Sequence, residues 1–192
     1  MSDLSELTKA MKEKFPRKIK VHPEFREEMS WTVPKDIFLE VMKTLKAESG
    51  FDMLLDICSI DNYGEDPRFE VVYELCCLET QQHLRVKVPI SEDDAVLPTV
   101  VGEWKTANWH EREVYDMMGI KFQGHPDLRR ILMWDGYPFF PLRKEFPLEG
   151  KETDMPDIAF SRPAPLEGGP FVTSSADLTK DREPRSKAPD IQ

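Results

Sequence analysis

The chain of 192 residues predicts an α+β fold. It is read as a mixed sheet, begun by a strand and a helix and continued as a β-meander, with flanking helices and an extended proline-rich C-terminal arm. Three observations predict it. Two neighbouring runs, Phe69 to Cys77 and Leu84 to Val88, place apolar residues at every second position, the period of a strand. Two earlier stretches place them at helical spacing. Seven prolines fall in residues 1–135 and nine in residues 136–192, and proline removes the backbone donors that regular elements need.

In chain order, Leu4, Leu7, Met11 and Phe15 form one apolar stripe on a charged helix over residues 2–15. Lys18 to His22 alternate, and Met29, Trp31 and Val33 read as a half-buried strand. Pro34 then opens a helix, Ile37, Phe38, Val41, Met42 and Leu45 give it a wide apolar face, and Gly50 ends it. A strand over Leu54 to Ile60 closes in the turn Asp61-Asn62-Tyr63-Gly64, and the two alternating runs follow. Ser91-Glu92-Asp93-Asp94 resembles a capping box ahead of an irregular helix through Trp104, interrupted by Pro98 and Gly102. A last helix covers Trp109 to Met118 and stops at Gly119.

The organisation is therefore a globular domain over residues 1–135 and an arm over 136–192. Phe139, Phe140, Phe146, Phe160, Leu166 and Phe171 punctuate the arm, more aromatics than a solvated linker favours. Ordering such a segment costs about 1–2 kcal/mol per residue in backbone entropy. Each buried aromatic or leucine returns roughly 1.5–3 kcal/mol. The arm is expected to be ordered by packing on a partner.

A formal net charge of −10 repels phosphate backbones and anionic lipid, which argues against nucleic-acid binding and direct membrane docking. No apolar run approaches the roughly 18 residues of a membrane span, and the N-terminus lacks the pattern of a secretory signal. The chain is expected to be soluble and cytoplasmic, held at any membrane by other proteins. Cys58, Cys76 and Cys77 have no metal-ligand spacing and read as buried small hydrophobes.

The sequence offers little chemistry. His110-Glu111 begins like a zinc-protease helix, but Val114 stands where the second histidine is required. His22, His83, His110 and His125 lie on four different elements. Nucleotide-binding glycine loops and nucleophile elbows are missing from the sequence. Glu111 and Asp116 point about 140° apart on a helix, so Glu111, Glu113 and Asp116 read as a charged face. Arg112 and Asp116 are spaced to pair on that face, and Arg129 and Arg130 are available to answer the acids across the turn. Either a self-satisfied surface network or an interface patch accounts for this density.

Glu111-Arg112-Glu113, Asp116, Met117-Met118, His125, Arg129 and Ile131, followed by the block Pro141-Leu142-Arg143-Lys144-Glu145-Phe146-Pro147-Leu148-Glu149-Gly150, resemble the signature of the thirty-kilodalton, or C-type, subunit family of respiratory complex I. Phe139-Phe140 stand where that family usually has Gly-His, and Glu145 replaces its commoner Asp. The resemblance implies a non-catalytic structural subunit of the peripheral arm of a proton-translocating NADH:quinone oxidoreductase. Such a subunit belongs to an enzyme only as part of the whole translocase, and it scaffolds the quinone-reducing module on the cytoplasmic side of the bacterial inner membrane. It implies no cofactor or metal bound by this chain, with FMN, iron–sulfur clusters and quinone in other subunits. The implied partners are the large quinone-site (D-type) subunit and the iron–sulfur subunits. Glu111, Arg112, Glu113, Asp116, His125, Arg129 and Arg143 become signature residues expected at a subunit interface. The motif is shared by equivalent subunits of membrane-bound hydrogenases, coenzyme-F420 or ferredoxin dehydrogenases and plastoquinone complexes. A free-standing binding module and an independent small enzyme are the other readings.

Overall fold

The computed structural model describes residues 4–16, 18–26, 28–148 and 150–151. The chain divides into two compact units, Met1–Phe146 and Pro147–Gln192. The described helices and strands all belong to the first: α1 Leu4–Lys14, β1 Lys20–Val21, β2 Met29–Thr32, α2 Phe38–Ser49, β3 Met53–Asp61, β4 Phe69–Cys77, β5 Gln82–Ile90, a 3-10 turn Glu92–Asp94, β6 Val96–Pro98, α3 Ala107–Met118 and β7 Lys121–Gln123.

Five strands form one sheet in the order β1-β2-β5-β4-β3. β3, β4 and β5 are the meander, paired antiparallel, while β2 joins β5 in parallel. The parallel pair follows from the crossover through α2, whose apolar face must cover the sheet it leaves. The sheet is mixed and the fold α+β, as the patterning predicts.

Alternation decides which face is covered. Phe69, Val71, Tyr73 and Leu75 of β4, with Leu84, Val86 and Val88 of β5, are buried in one cluster with Met11 of α1, Phe15 just after it, and Phe38, Val41, Met42 and Leu45 of α2. Phe38 lies on Tyr73 at 4.8 Å between ring centroids. The residues between them carry the opposite face, where Glu74 and Arg85 pair at 2.8 Å and Glu70 and Lys87 at 3.3 Å. Cys58 also lies on that face and is exposed, whereas Cys76 and Cys77 are buried, so the expectation of three buried thiols fails for Cys58. It projects from β3, the last of the sheet's described strands, on the face opposite the helices.

Two further differences are local. Residues 35–37 form a turn before α2, so Pro34 precedes the helix by a turn instead of opening it. Residues 91–104 hold no α-helix: after the 3-10 turn the chain extends as β6, which pairs in parallel with β7 from Val96↔Lys121 to Pro98↔Gln123. Pro98 cannot supply a helical N–H, but at the end of a short two-stranded ladder it loses little.

Candidate functional site: the polar cradle of α3

Gly119 ends α3 at φ 79°, with its N–H donating to the Tyr115 carbonyl. That conformation favours glycine, and space demands it too. A Cβ there would stand 2.7 Å from the Phe140 ring and 2.9 Å from Arg143 Nη2. Residues 140–143 close over the helix end because its last carbonyls need donors. The Leu142 N–H donates to the Met117 carbonyl at 3.2 Å, and Arg143 Nε to the Met118 carbonyl at 2.7 Å. The Arg143 guanidinium lies 4.8 Å from the centroid of Phe140 and 5.2 Å from that of Phe69. The first residues of the expected arm therefore find their surface on their own chain, and 136–146 belong to the same compact unit as the sheet. The remainder of the expected arm, residues 152–192, lies outside the described residues.

Asp116 is fully buried. Its Oδ2 accepts the backbone N–H groups of Ile131, Leu132 and Met133 at 3.0, 2.7 and 2.8 Å, and its Oδ1 accepts Arg130 Nη1 at 2.5 Å. Burial alone would push this carboxyl up, but three amides and a guanidinium outweigh it and hold the group below the ordinary aspartate value. Arg130 extends the network through Nη2 to the Tyr137 and Phe139 carbonyls. Arg112 secures the same loop from the preceding helical turn, donating to the carbonyls of Arg129 and Arg130, both at 3.1 Å.

Glu111 is equally buried but differently served. Its Oε2 accepts the Thr99 hydroxyl at 2.5 Å and its Oε1 the Val100 N–H at 2.8 Å. The basic group beside it is His125, with Nε2 at 3.9 Å. His125 is already engaged: Nδ1 accepts the Asp127 N–H at 3.0 Å, which leaves Nε2–H to donate to the Asn108 carbonyl at 3.2 Å. Burial pushes the Glu111 carboxyl up to about 7 against the pull of its two hydrogen bonds.

A third buried carboxylate closes the cradle towards the sheet. Asp61, at the end of β3, takes Arg68 in a two-pronged pair at 2.8 and 2.9 Å and the Lys144 N–H at 2.8 Å. The Arg68 hydrogen bonds hold the Asp61 carboxyl low despite burial. Arg68 also reaches Glu92 and Glu145, so both ends of the block 143–145 are tied to the body.

Outside this cradle stand Glu113 and Arg129, both exposed, the latter pairing with Asp127 at 2.9 Å. Trp109 is 61% exposed, its ring 5.3 Å from the Arg112 guanidinium, and Leu132 and Leu142 are similarly open. Of the seven signature residues, then, Glu111, Arg112, Asp116, His125 and Arg143 form one internally bonded unit, while Glu113 and Arg129 face outward. The charged helix face expected for Glu111, Glu113 and Asp116 is corrected: only Glu113 is on the surface. The 140° divergence places Glu111 and Asp116 on two flanks, and each flank is covered by a different piece of chain. The expected Arg112–Asp116 pair does not form, because Asp116 is filled by the loop amides and Arg130. Of the two arginines expected to answer the acids across the turn, Arg130 does so at Asp116, whereas Arg129 pairs with Asp127. Asp61, Arg68, Thr99 and Trp109 are not among the site residues that the sequence singles out.

Among the described residues no helix is long and apolar enough to cross a membrane, and no three His, Cys, Asp or Glu side chains are grouped to hold a metal.

Residues 31–152 match the family model described as respiratory-chain NADH dehydrogenase, 30 Kd subunit. The chain is 43% identical over 157 residues to the C-type subunit of the NADH-quinone oxidoreductase of Geotalea uraniireducens (strain Rf4), a match covering 80% of this chain and 96% of that one. It is 46% identical over 140 residues to a C-type subunit of the NADH-quinone oxidoreductase of Rhizobium meliloti (strain 1021), covering 72% and 76%. Among solved structures it resembles a trypsin-resistant fragment of Nqo5, with a TM-score of 0.58 and 36% identity over 64% of this chain and 98% of that one. It also resembles a chain of the membrane-bound sulfane sulfur reductase, an archaeal respiratory membrane complex, with a TM-score of 0.66 and 28% identity over 77% and 87%. The matched span contains α3, the cradle and both signature blocks, and on that ground the chain belongs to the family of the 30-kDa subunit of respiratory-chain NADH dehydrogenase.

Proposed function

We propose that this chain is a non-catalytic structural subunit of the peripheral arm of a proton-translocating NADH:quinone oxidoreductase. It would sit on the cytoplasmic side of the bacterial inner membrane, held there by partner subunits. Its partners would be the large quinone-site subunit and the iron–sulfur subunits, with FMN, clusters and quinone carried by those other chains. The observation that carries this reading is the use made of the cradle's reactive groups. Asp116 is saturated by four donors inside its own chain, and Arg112, Arg130 and Arg143 are bound to backbone carbonyls. The product of that bonding is a fixed platform whose outer surface offers Trp109, Leu132, Glu113 and Arg129. An exposed tryptophan with an arginine nearby is the kind of anchor that interfaces favour.

A second reading is supported by the likeness to the sulfane sulfur reductase chain: the equivalent subunit of a related respiratory complex that lacks NADH oxidation. Affinity purification of the full chain from its own membranes, with mass spectrometry of the co-purifying subunits, separates the two. Flavin-bearing NADH-oxidising subunits are expected. Quinone-site and iron–sulfur subunits without them favour the second reading, and a stable free monomer contradicts both. Arg129→Ala and Glu113→Ala are expected to reduce the amount of assembled complex on native gels while turnover per complex is kept. Normal assembly with lost turnover contradicts a structural role.

A further inference from the structure

Glu111 is a buried carboxyl that the scaffolding reading does not use. Its surroundings are specific. The hydroxyl of Thr99 and the N–H of Val100 hold its two oxygens but bring no charge. The titratable groups facing it from other elements are Tyr73 of β4, whose buried hydroxyl has no hydrogen-bond partner among the described residues, and His125 of the turn after β7. Its helical neighbours are turned elsewhere, His110 to Asp56 at 3.2 Å and Arg112 to the carbonyls of residues 129 and 130. An ionised carboxylate here lacks a cation, and a dry, unpaired charge is costly enough to recruit any donor within reach. One such donor is His125 Nε2–H, 3.9 Å from Oε2 and now spent on the Asn108 carbonyl.

We propose that Glu111 and His125 form a proton-linked latch: when Glu111 loses its proton to solvent, His125 swings its Nε2–H from the Asn108 carbonyl to Glu111 Oε2, and its Nδ1 lets go of the Asp127 amide. With Glu111 protonated, the ring stays seated between Asn108 and Asp127 and the turn 125–130 is closed. With Glu111 ionised, the turn loses that tie. The same turn presents the Arg129 and Arg130 carbonyls to Arg112, and Arg112 lies beside the exposed Trp109 ring. The protonation of one buried group is thereby coupled to the outer surface of α3. The latch is internal to this chain and operates whichever assembly the chain enters.

Amide NMR of the full-length chain across neutral pH tests this. The Asp127 N–H is expected to titrate with a midpoint near the Glu111 value of about 7. The response should vanish in Glu111→Gln and in His125→Asn. Thr99→Val removes a hydrogen bond that favours the ionised carboxylate, so it should move the midpoint upward. An Asp127 amide that ignores pH in the wild-type chain, or one that titrates alike in wild type and Glu111→Gln, overturns the latch. Should Glu111→Gln fail to fold, Thr99→Val decides alone, and an unmoved midpoint overturns it.

Discussion

Glu111 and Asp116 are two carboxylates on one helix, both fully buried, and their surroundings drive them in opposite directions. Asp116 meets three backbone amides and a guanidinium and is held below its ordinary value, whereas Glu111 meets one hydroxyl and one amide and is pushed up to about 7. Burial pushes both carboxyls up and prevails at Glu111, whereas at Asp116 the larger supply of donors outweighs it. A helix can therefore carry one carboxylate that ties the fold together as an anion and, five residues away, another that is tolerated best as an acid.

The comparison is broken most severely at Asp116. Asp116→Ala leaves Arg130 and the amides of residues 131–133 without their acceptor, and the expected loss is about 3–5 kcal/mol in chemical denaturation of the full chain. A loss below about 1 kcal/mol would show that solvent replaces the carboxylate and that the cradle is not closed.

The pH dependence sharpens the contrast, because the two groups carry opposite signs. The folded-state value of Glu111 is raised from 4.5 to about 7, so its favourable state is fully present below 4.5 and is lost as pH climbs through about 7. The loss is at most about 3.5 kcal/mol, at roughly 1.4 kcal/mol per pH unit. For Asp116 the folded value is lowered, so its contribution is complete above the ordinary value of 3.8 and fades only as pH falls below that. Denaturation midpoints measured across this range should therefore show a decline towards neutral pH that Glu111→Gln removes.

Gly119→Ala should cost about 2 kcal/mol in the same assay, since the left-handed backbone and the Phe140 ring oppose the same methyl group. Pairing it with Phe140→Leu should recover part of that loss, and an unchanged cost would leave backbone strain as the whole cause. The smallest effect belongs to the open sheet face. Arg85→Ala breaks a half-buried pair with Glu74 and an exposed one with Glu28, and a loss of no more than about 1 kcal/mol is expected because water still reaches such partners.

Much of the sheet was legible in the sequence, because the period-two runs in β4 and β5 and the glycine after α2 act locally. β6 and β7 were not, since each is three residues long and exists only through the other. The cradle was half legible. The carboxylates and arginines of the two blocks stood out by density and spacing, yet their partners are mostly backbone groups of an irregular loop, which have no sequence identity to read.

What the sequence determined by itself is the family, the alternation that lays down the meander, and the angular separation of Glu111 from Asp116 on α3. That both of those acids would be covered by protein, Asp116 by three loop amides and Arg130 and Glu111 by one hydroxyl and one amide, was decided only by the tertiary structure. Helical periodicity sets the direction in which a side chain leaves its axis, but the chain that comes to lie there is contributed by segments up to 17 residues away in the case of the Asp116 amides. For Asp61 the Lys144 amide comes from 83 residues away, a separation over which no local pattern carries information.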